Sequence, residues 1–224
     1  MIQSERLKVH DLVIGIDCNS HNLVESRKIP FVQAALGCIL FLAAAIPIHA
    51  QTRLVSCNPV SERTGEAGCW IILTQPLGEL PDGPTYWSLD VFPDRAAAEA
   101  AKGSRGSVVE ALGKVWLFTI GGKSDQSSGG KRVSQIGPLS IKNGEKYTAQ
   151  FMEAILPPGA VARTHRHSGP EAFYTEAGES CLETPEGKTV GKNGIDLIVP
   201  EAQHRPSTLT ASAIAFRVPL EVVS

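Results

Sequence analysis

Six short runs rich in strand-forming residues, 147–156, 160–167, 172–175, 180–184, 196–199 and 214–220, crowd the C-terminal part of this chain. Each is bounded by Pro, Gly, Asn or Asp, or by small polar residues. Such runs suit a pleated, half-buried surface. The tripeptides Pro157-Pro158-Gly159 and Pro185-Glu186-Gly187 stand between runs. Proline presets φ and glycine supplies left-handed positions, so both are expected to turn the chain. Regular short strands punctuated in this way point to an antiparallel sandwich or barrel, and away from a parallel sheet with crossover helices.

The preceding stretch, 51–146, is of a different kind. Residues 86–91 read as a strand, and Asp94 can cap a short helix over 95–102 that Gly103 stops. Residues 107–120 form a second strand-like run containing Trp116. Strand, helix and strand give a small α+β unit packed against the later sheet. The polar, Gly-rich run 124–131 reads as a flexible loop. Trp70, Trp87 and Trp116 all fall in this part and are expected to pack in a core.

The 224 residues can hold one large domain or two small ones, and 42% hydrophobic content is ample for a core. A net charge of −2 offers no electrostatic case for nucleic acid. Residues 31–48 are almost wholly apolar, Arg27 and Lys28 precede them, and Ile48-His49-Ala50 ends in a residue that a signal peptidase accepts. Residues 1–50 therefore read as a signal peptide with a long leader, cleaved after Ala50, and the mature protein as periplasmic or secreted. An uncleaved membrane anchor is the other reading, because the run just reaches spanning length.

Cleavage at Ala50 would leave three histidines, His165, His167 and His204, and three cysteines, Cys57, Cys69 and Cys181. In an oxidising compartment Cys57 and Cys69 are expected to pair, with Cys181 an inert, buried strand thiol. His165 and His167 alternate onto one strand face, and Glu171 follows after a Ser-Gly-Pro turn. A second run, from Gly194 through Pro200, brings His204. Three imidazoles and one carboxylate make a first shell for one divalent metal ion.

The first run, Gly159, five residues, His165-x-His167, three residues, Glu171, six residues, Gly178, resembles the first signature motif of the cupin superfamily at every fixed position. The second run resembles the second cupin motif in part. Gly194 and Pro200 keep their spacing, Ala202 replaces a glycine, the turn before His204 is one residue short, and Ser207 stands near the expected Asn. The resemblance covers roughly residues 147–218. It implies a mainly β fold: an antiparallel jelly-roll (cupin) barrel over 147–224, preceded by the α+β segment and holding the metal in its mouth. Because two-barrel cupins exist, 51–146 has two readings: a subdomain supplying outer strands and a lid, or a degenerate first cupin half. The resemblance also implies a homodimer.

His165, His167, Glu171 and His204 are thus the expected metal ligands. Imidazole and carboxylate accept Fe(II), the first expectation, as well as Mn, Zn, Cu or Ni. Arg163, two residues before His165, shares its face and is a candidate to hold an anionic substrate, unless it sits solvated at the rim. Phe151 and Phe173 are candidate pocket walls, with core packing the other reading of both, and Glu153 is either a general base or a rim carboxylate. No Ser-His-Asp set exists apart from these histidines, and no phosphate-cradling glycine loop follows a strand. The expected function is an exported metal-binding cupin acting on a small organic molecule, by a dioxygenase-type oxidation. Non-catalytic ligand binding or sensing, and a metal-dependent isomerase or decarboxylase, are the alternatives.

Overall fold

A computed structural model of the chain describes residues 53–125, 127–165, 167–184, 187–199 and 207–223. The expectations for the signal segment 1–50 and for His204 lie outside the described residues. No helix among the described residues is long and apolar enough to cross a membrane.

The strands follow in chain order as β1 (Arg53–Val55), β2 (Cys57–Pro59), β3 (Gly68–Glu79), β4 (Thr85–Phe92), β5 (Gly106–Ala111), β6 (Lys114–Gly121) and β7 (Lys131–Leu139). Then come β8 (Lys146–His165), β9 (Glu171–Thr184), β10 (Gly187–Lys192), β11 (Asp196–Val199) and β12 (Ser207–Val222). The one α-helix described, α1 (Arg95–Ala101), lies between β4 and β5. The Asp94 carboxylate caps it, accepting from the Ala97 N–H at 2.8 Å.

Two sheets form. The smaller runs β5-β6-β4-β7, and the larger β10-β9-β12-β8-β3-β2, with β1 on β8 and β11 on β9. Every pairing is antiparallel except the short β1–β8 and β2–β3 contacts. The mainly β, antiparallel expectation holds. Strands from both sides of residue 146 share the larger sheet, because β3 pairs with β8 along its first half.

Several boundaries differ from the sequence reading, each for a local reason. The run 107–120 is not one strand but the hairpin β5–β6, reversed at Leu112 (φ 52°) and Gly113 (φ 69°). Two consecutive left-handed residues match the twist of a two-residue hairpin, and leucine at the first of them hides the signal. Pro157-Pro158-Gly159 does not reverse the chain. It sits inside β8, where pairing with β12 steps from Leu156↔Ala213 to Ala160↔Ala211. Three β8 residues thus oppose Ser212 alone. The prolines occupy an irregularity where no ladder N–H is needed, and Gly159 takes φ 77°. Runs 172–175 and 180–184 likewise fuse into β9, where Glu176 is skipped between Thr175↔Ala215 and Ala177↔Ile214.

The larger sheet is apolar on both faces. On one face Tyr147, Ala149 and Phe151 of β8, Ala172 and Tyr174 of β9, and Phe216, Val218 and Leu220 of β12 meet Trp87, Leu89, Trp116, Phe118 and Ile120 of the smaller sheet. Trp116 satisfies its buried indole N–H on the Ala111 carbonyl, 3.0 Å away. The opposite face, one residue out of step, carries Met152, Ala154 and Leu156 of β8, Phe173 of β9 and Ala213 of β12. Period-two alternation therefore assigns neighbouring residues to separate cores. The outer face of the smaller sheet is covered by α1, through Ala98 against Phe92 and Leu117.

Cys57 and Cys69 are disulfide-bonded, their Cα atoms 4.4 Å apart. Cys181 is buried on β9, as expected of a strand cysteine.

Candidate metal centre

The His165–Glu171 connection is fixed by contacts with the last strand. A Cβ on Gly169 would overlap the Leu220 carbonyl oxygen, so this close approach requires glycine. The Leu220 N–H donates to the Pro170 carbonyl at 2.9 Å. The Val222 N–H donates to the Ser168 hydroxyl at 2.8 Å, and that hydroxyl donates to Glu221 Oε2 at 2.6 Å. The Ser168 N–H adds a further bond to Glu221 Oε2 at 3.1 Å. The turn is pinned at both ends, and the side chains it carries inherit that placement.

Glu221 also orients an imidazole. Its Oε1 lies 2.5 Å from His167 Nδ1. The His167 hydrogen bond, opposed by burial and assisted by Ser168, holds the Glu221 carboxyl down at about 2. A carboxylate on Nδ1 keeps the proton there and turns the Nε2 lone pair inward, an outer partner of the kind that sets tautomer and basicity in metal-bound histidines.

Inside this frame His165, His167 and Glu171 each present one donor atom, all within 4.8 Å of one another. The two imidazole rings stand edge to face, centroids 4.8 Å apart. Glu171, the first residue of β9, is 2% exposed. Two imidazole nitrogens and one carboxylate oxygen converging on a common point fit a divalent ion, and these three residues can hold one.

The same three donors already serve a cation from within the chain. Arg217 of β12 donates from Nε to Glu171 Oε1 at 2.6 Å, and its Nη2 forms an ion pair with the same oxygen. Nη2 also lies 3.0 Å from His165 Nε2 and 3.3 Å from His167 Nε2. Nη1 faces Cys57 Sγ at 3.7 Å, and the guanidinium carbon sits 5.5 Å from the Phe173 ring centroid. Burying a carboxylate is costly unless it is paired, and this fork supplies the pair.

Beside the centre lies a cavity of about 220 Å³. Val55, Met152, Ala154, Leu156 and Ala162 give it apolar walls, the Cys57–Cys69 disulfide closes one side, and His165, His167 and Arg217 form its polar end. That volume is below the usual range for drug-sized ligands, so only a small molecule would fit it.

Phe173 belongs to the apolar cluster on the cavity side of the larger sheet. Phe151 does not: it packs between the sheets, 5.2 Å from Phe118 and 6.4 Å from Trp87, and is corrected from pocket wall to core. Alternation places it on the face opposite Met152. Glu153 is paired with Arg63 at 3.0 Å, and Arg63 in turn covers Trp70, so this carboxylate tethers the segment before β3. The Arg163 side chain, like His204, lies outside what is described. Sequence reasoning missed Arg217 and Glu221; both arrive from β12, 46 and 54 residues from their partners, and only the pairing register announces them.

No protein-family model and no curated protein matches the chain. Solved structures do resemble it. A sugar phosphate isomerase of the cupin superfamily from Silicibacter pomeroyi is 18% identical over 32% of this chain and 48% of its own, with a TM-score of 0.27. The chain thus spans about half the length of that protein. A cupin domain from Bordetella pertussis is 24% identical over 38% of this chain and 90% of its own, TM-score 0.25. The Bacillus subtilis oxalate decarboxylase, described with Mn(II) centres, is 16% identical over 38% of this chain and 27% of its own, TM-score 0.28. Overlap this small leaves the cupin resemblance resting on the protein's own antiparallel sheets and on the motif's two histidines and glutamate, gathered at one end of a cavity.

Proposed function

We propose that this protein is an exported, metal-dependent cupin that acts on a small organic molecule, with Fe(II) as the resident ion and a dioxygenase-type oxidation as the reaction. The observation that carries the reading is the convergence of His165, His167 and Glu171 beside a small apolar cavity. Two histidines and one carboxylate, with remaining positions open, are the donor set of non-haem iron oxygenases. A bound iron ion would supply one-electron redox chemistry and charge stabilisation. The chain's own residues supply the rest. Glu221 holds His167 in one tautomer, the Gly169 turn sets the spacing of the donors, and the apolar walls exclude water from the reacting end. The Cys57–Cys69 bond supports the exported reading, since such bonds persist in oxidising compartments.

Oxygen uptake by the iron-loaded protein, against a panel of phenols, thiols and diketones, tests the reaction. Uptake that disappears in His165→Ala supports it. No uptake, with compounds still raising the melting temperature, turns the reading to ligand binding without turnover. A homodimer is part of the same proposal, and a monomeric mass by light scattering would remove it.

A further inference from the structure

Arg217 is the one cation among the described residues lining the cavity, and the contacts of its Nη2 are all with candidate metal ligands. A divalent ion and this guanidinium therefore need the same three atoms. They cannot share the imidazoles: each Nε2 has one lone pair, so an ion held there removes two of the acceptors of Arg217 Nη2 and competes with it for Glu171 Oε1. Charge sharpens the consequence. Glu171 and Glu221 against a single Arg217 leave the centre with one net negative charge when both histidines are neutral. A divalent ion reverses that to one net positive charge, and it does so while freeing a two-pronged donor at the edge of an apolar cavity.

Resting on the metal reading above, we propose that Arg217 is an internal competitor of the metal, and that its displacement makes the cavity a site for small molecules with an apolar body and one carboxylate group. The guanidinium fork matches a carboxylate geometrically, and the net positive charge excludes cations. Val55, Met152, Ala154 and Leu156 receive the apolar body. Metal and anion consequently bind with positive coupling, each strengthening the other.

Zinc, which is redox-inert, and benzoate, with benzamide as its neutral counterpart, are the probes for calorimetric titration of the full-length protein and of Arg217→Met. Removing the competitor should tighten zinc binding roughly tenfold or more, because the metal no longer waits for the donors to be released. Benzoate should bind the zinc-loaded wild type, bind the zinc-free protein about tenfold more weakly, and be lost from zinc-loaded Arg217→Met. Equal zinc affinity in the two proteins overturns the competition, and benzamide binding as well as benzoate overturns the ligand class. Zinc uptake by neither protein sinks the metal reading itself, and this proposal with it. Should Arg217→Met lose its fold, Arg217→Lys carries the test: the charge stays but the fork is gone, so zinc must bind more tightly than in the wild type. Unchanged zinc affinity there refutes the proposal equally.

Discussion

Phe118→Ala probes the joint between the two sheets. The ring is fully buried on β6 and reaches across the interface to Phe151 and Phe216, each 5.2 Å away between centroids. On its own sheet it meets Trp87 at 5.5 Å and Trp116 at 6.0 Å. The Phe216 and Trp87 contacts are edge-to-face, at 70° and 76° between planes. Truncating a buried phenylalanine costs about 3–5 kcal/mol, combining lost transfer energy with the cavity left behind. Neighbours on two hydrogen-bonded sheets cannot easily collapse into that cavity, and two inter-sheet ring pairs worth about 0.5–1.5 kcal/mol each are lost with the ring. The expected loss is therefore near the upper end, about 4–5 kcal/mol. For a chain of this size it corresponds to a fall in Tm of roughly 8–20 °C. Urea denaturation with the disulfides kept oxidised measures it as a lower midpoint at unchanged slope. A loss below about 1 kcal/mol would falsify the claim that this face joins the sheets.

Three further expectations follow from the site and its surroundings. Glu221→Gln should weaken zinc affinity by about 10–100-fold with little change in Tm, because it removes the negative charge behind His167 Nδ1 and leaves the three donors in place; calorimetric titration decides. Gly169→Ala places a methyl group against the Leu220 carbonyl, so it should cost at least about 1–3 kcal/mol in urea denaturation and loosen metal binding with it. Burial, and then Glu176, push the Tyr174 phenol up to about 12. A phenol whose folded value lies above its unfolded value near 10 stabilises the fold fully below that pH and ceases to as pH climbs through 12. Tyr174→Phe should therefore flatten the alkaline decline between pH 10 and 12, followed by circular dichroism, and a decline of unchanged steepness would count against the assignment.

How much of this was legible beforehand depended on the range of the interaction. Strand content, the Asp94 cap and the His-x-His-x₃-Glu spacing are local, and residue chemistry within a few positions exposes them. Pro157-Pro158-Gly159 misled because the same residues serve a turn and a strand irregularity, and only the partner strand distinguishes them. Phe151 was misplaced for a different reason. Alternation says which residues share a face but not which face meets the cavity, and a sheet apolar on both sides offers no polar face to break the tie. Arg217 and Glu221 were invisible because their meaning comes from β12 lying between β8 and β9. Nothing within β12 itself marks an arginine or a glutamate as part of a distant histidine centre.

That two-sided sheet divides the work of the protein along single strands. Odd-numbered positions from Tyr147 to Phe151 lock the layers together, while Met152, Ala154 and Leu156 shape what the cavity admits. Selectivity can therefore drift, one residue at a time, through positions that the inter-layer joint never touches. A lineage carrying this scaffold would be free to reshape its cavity while its architecture stood still.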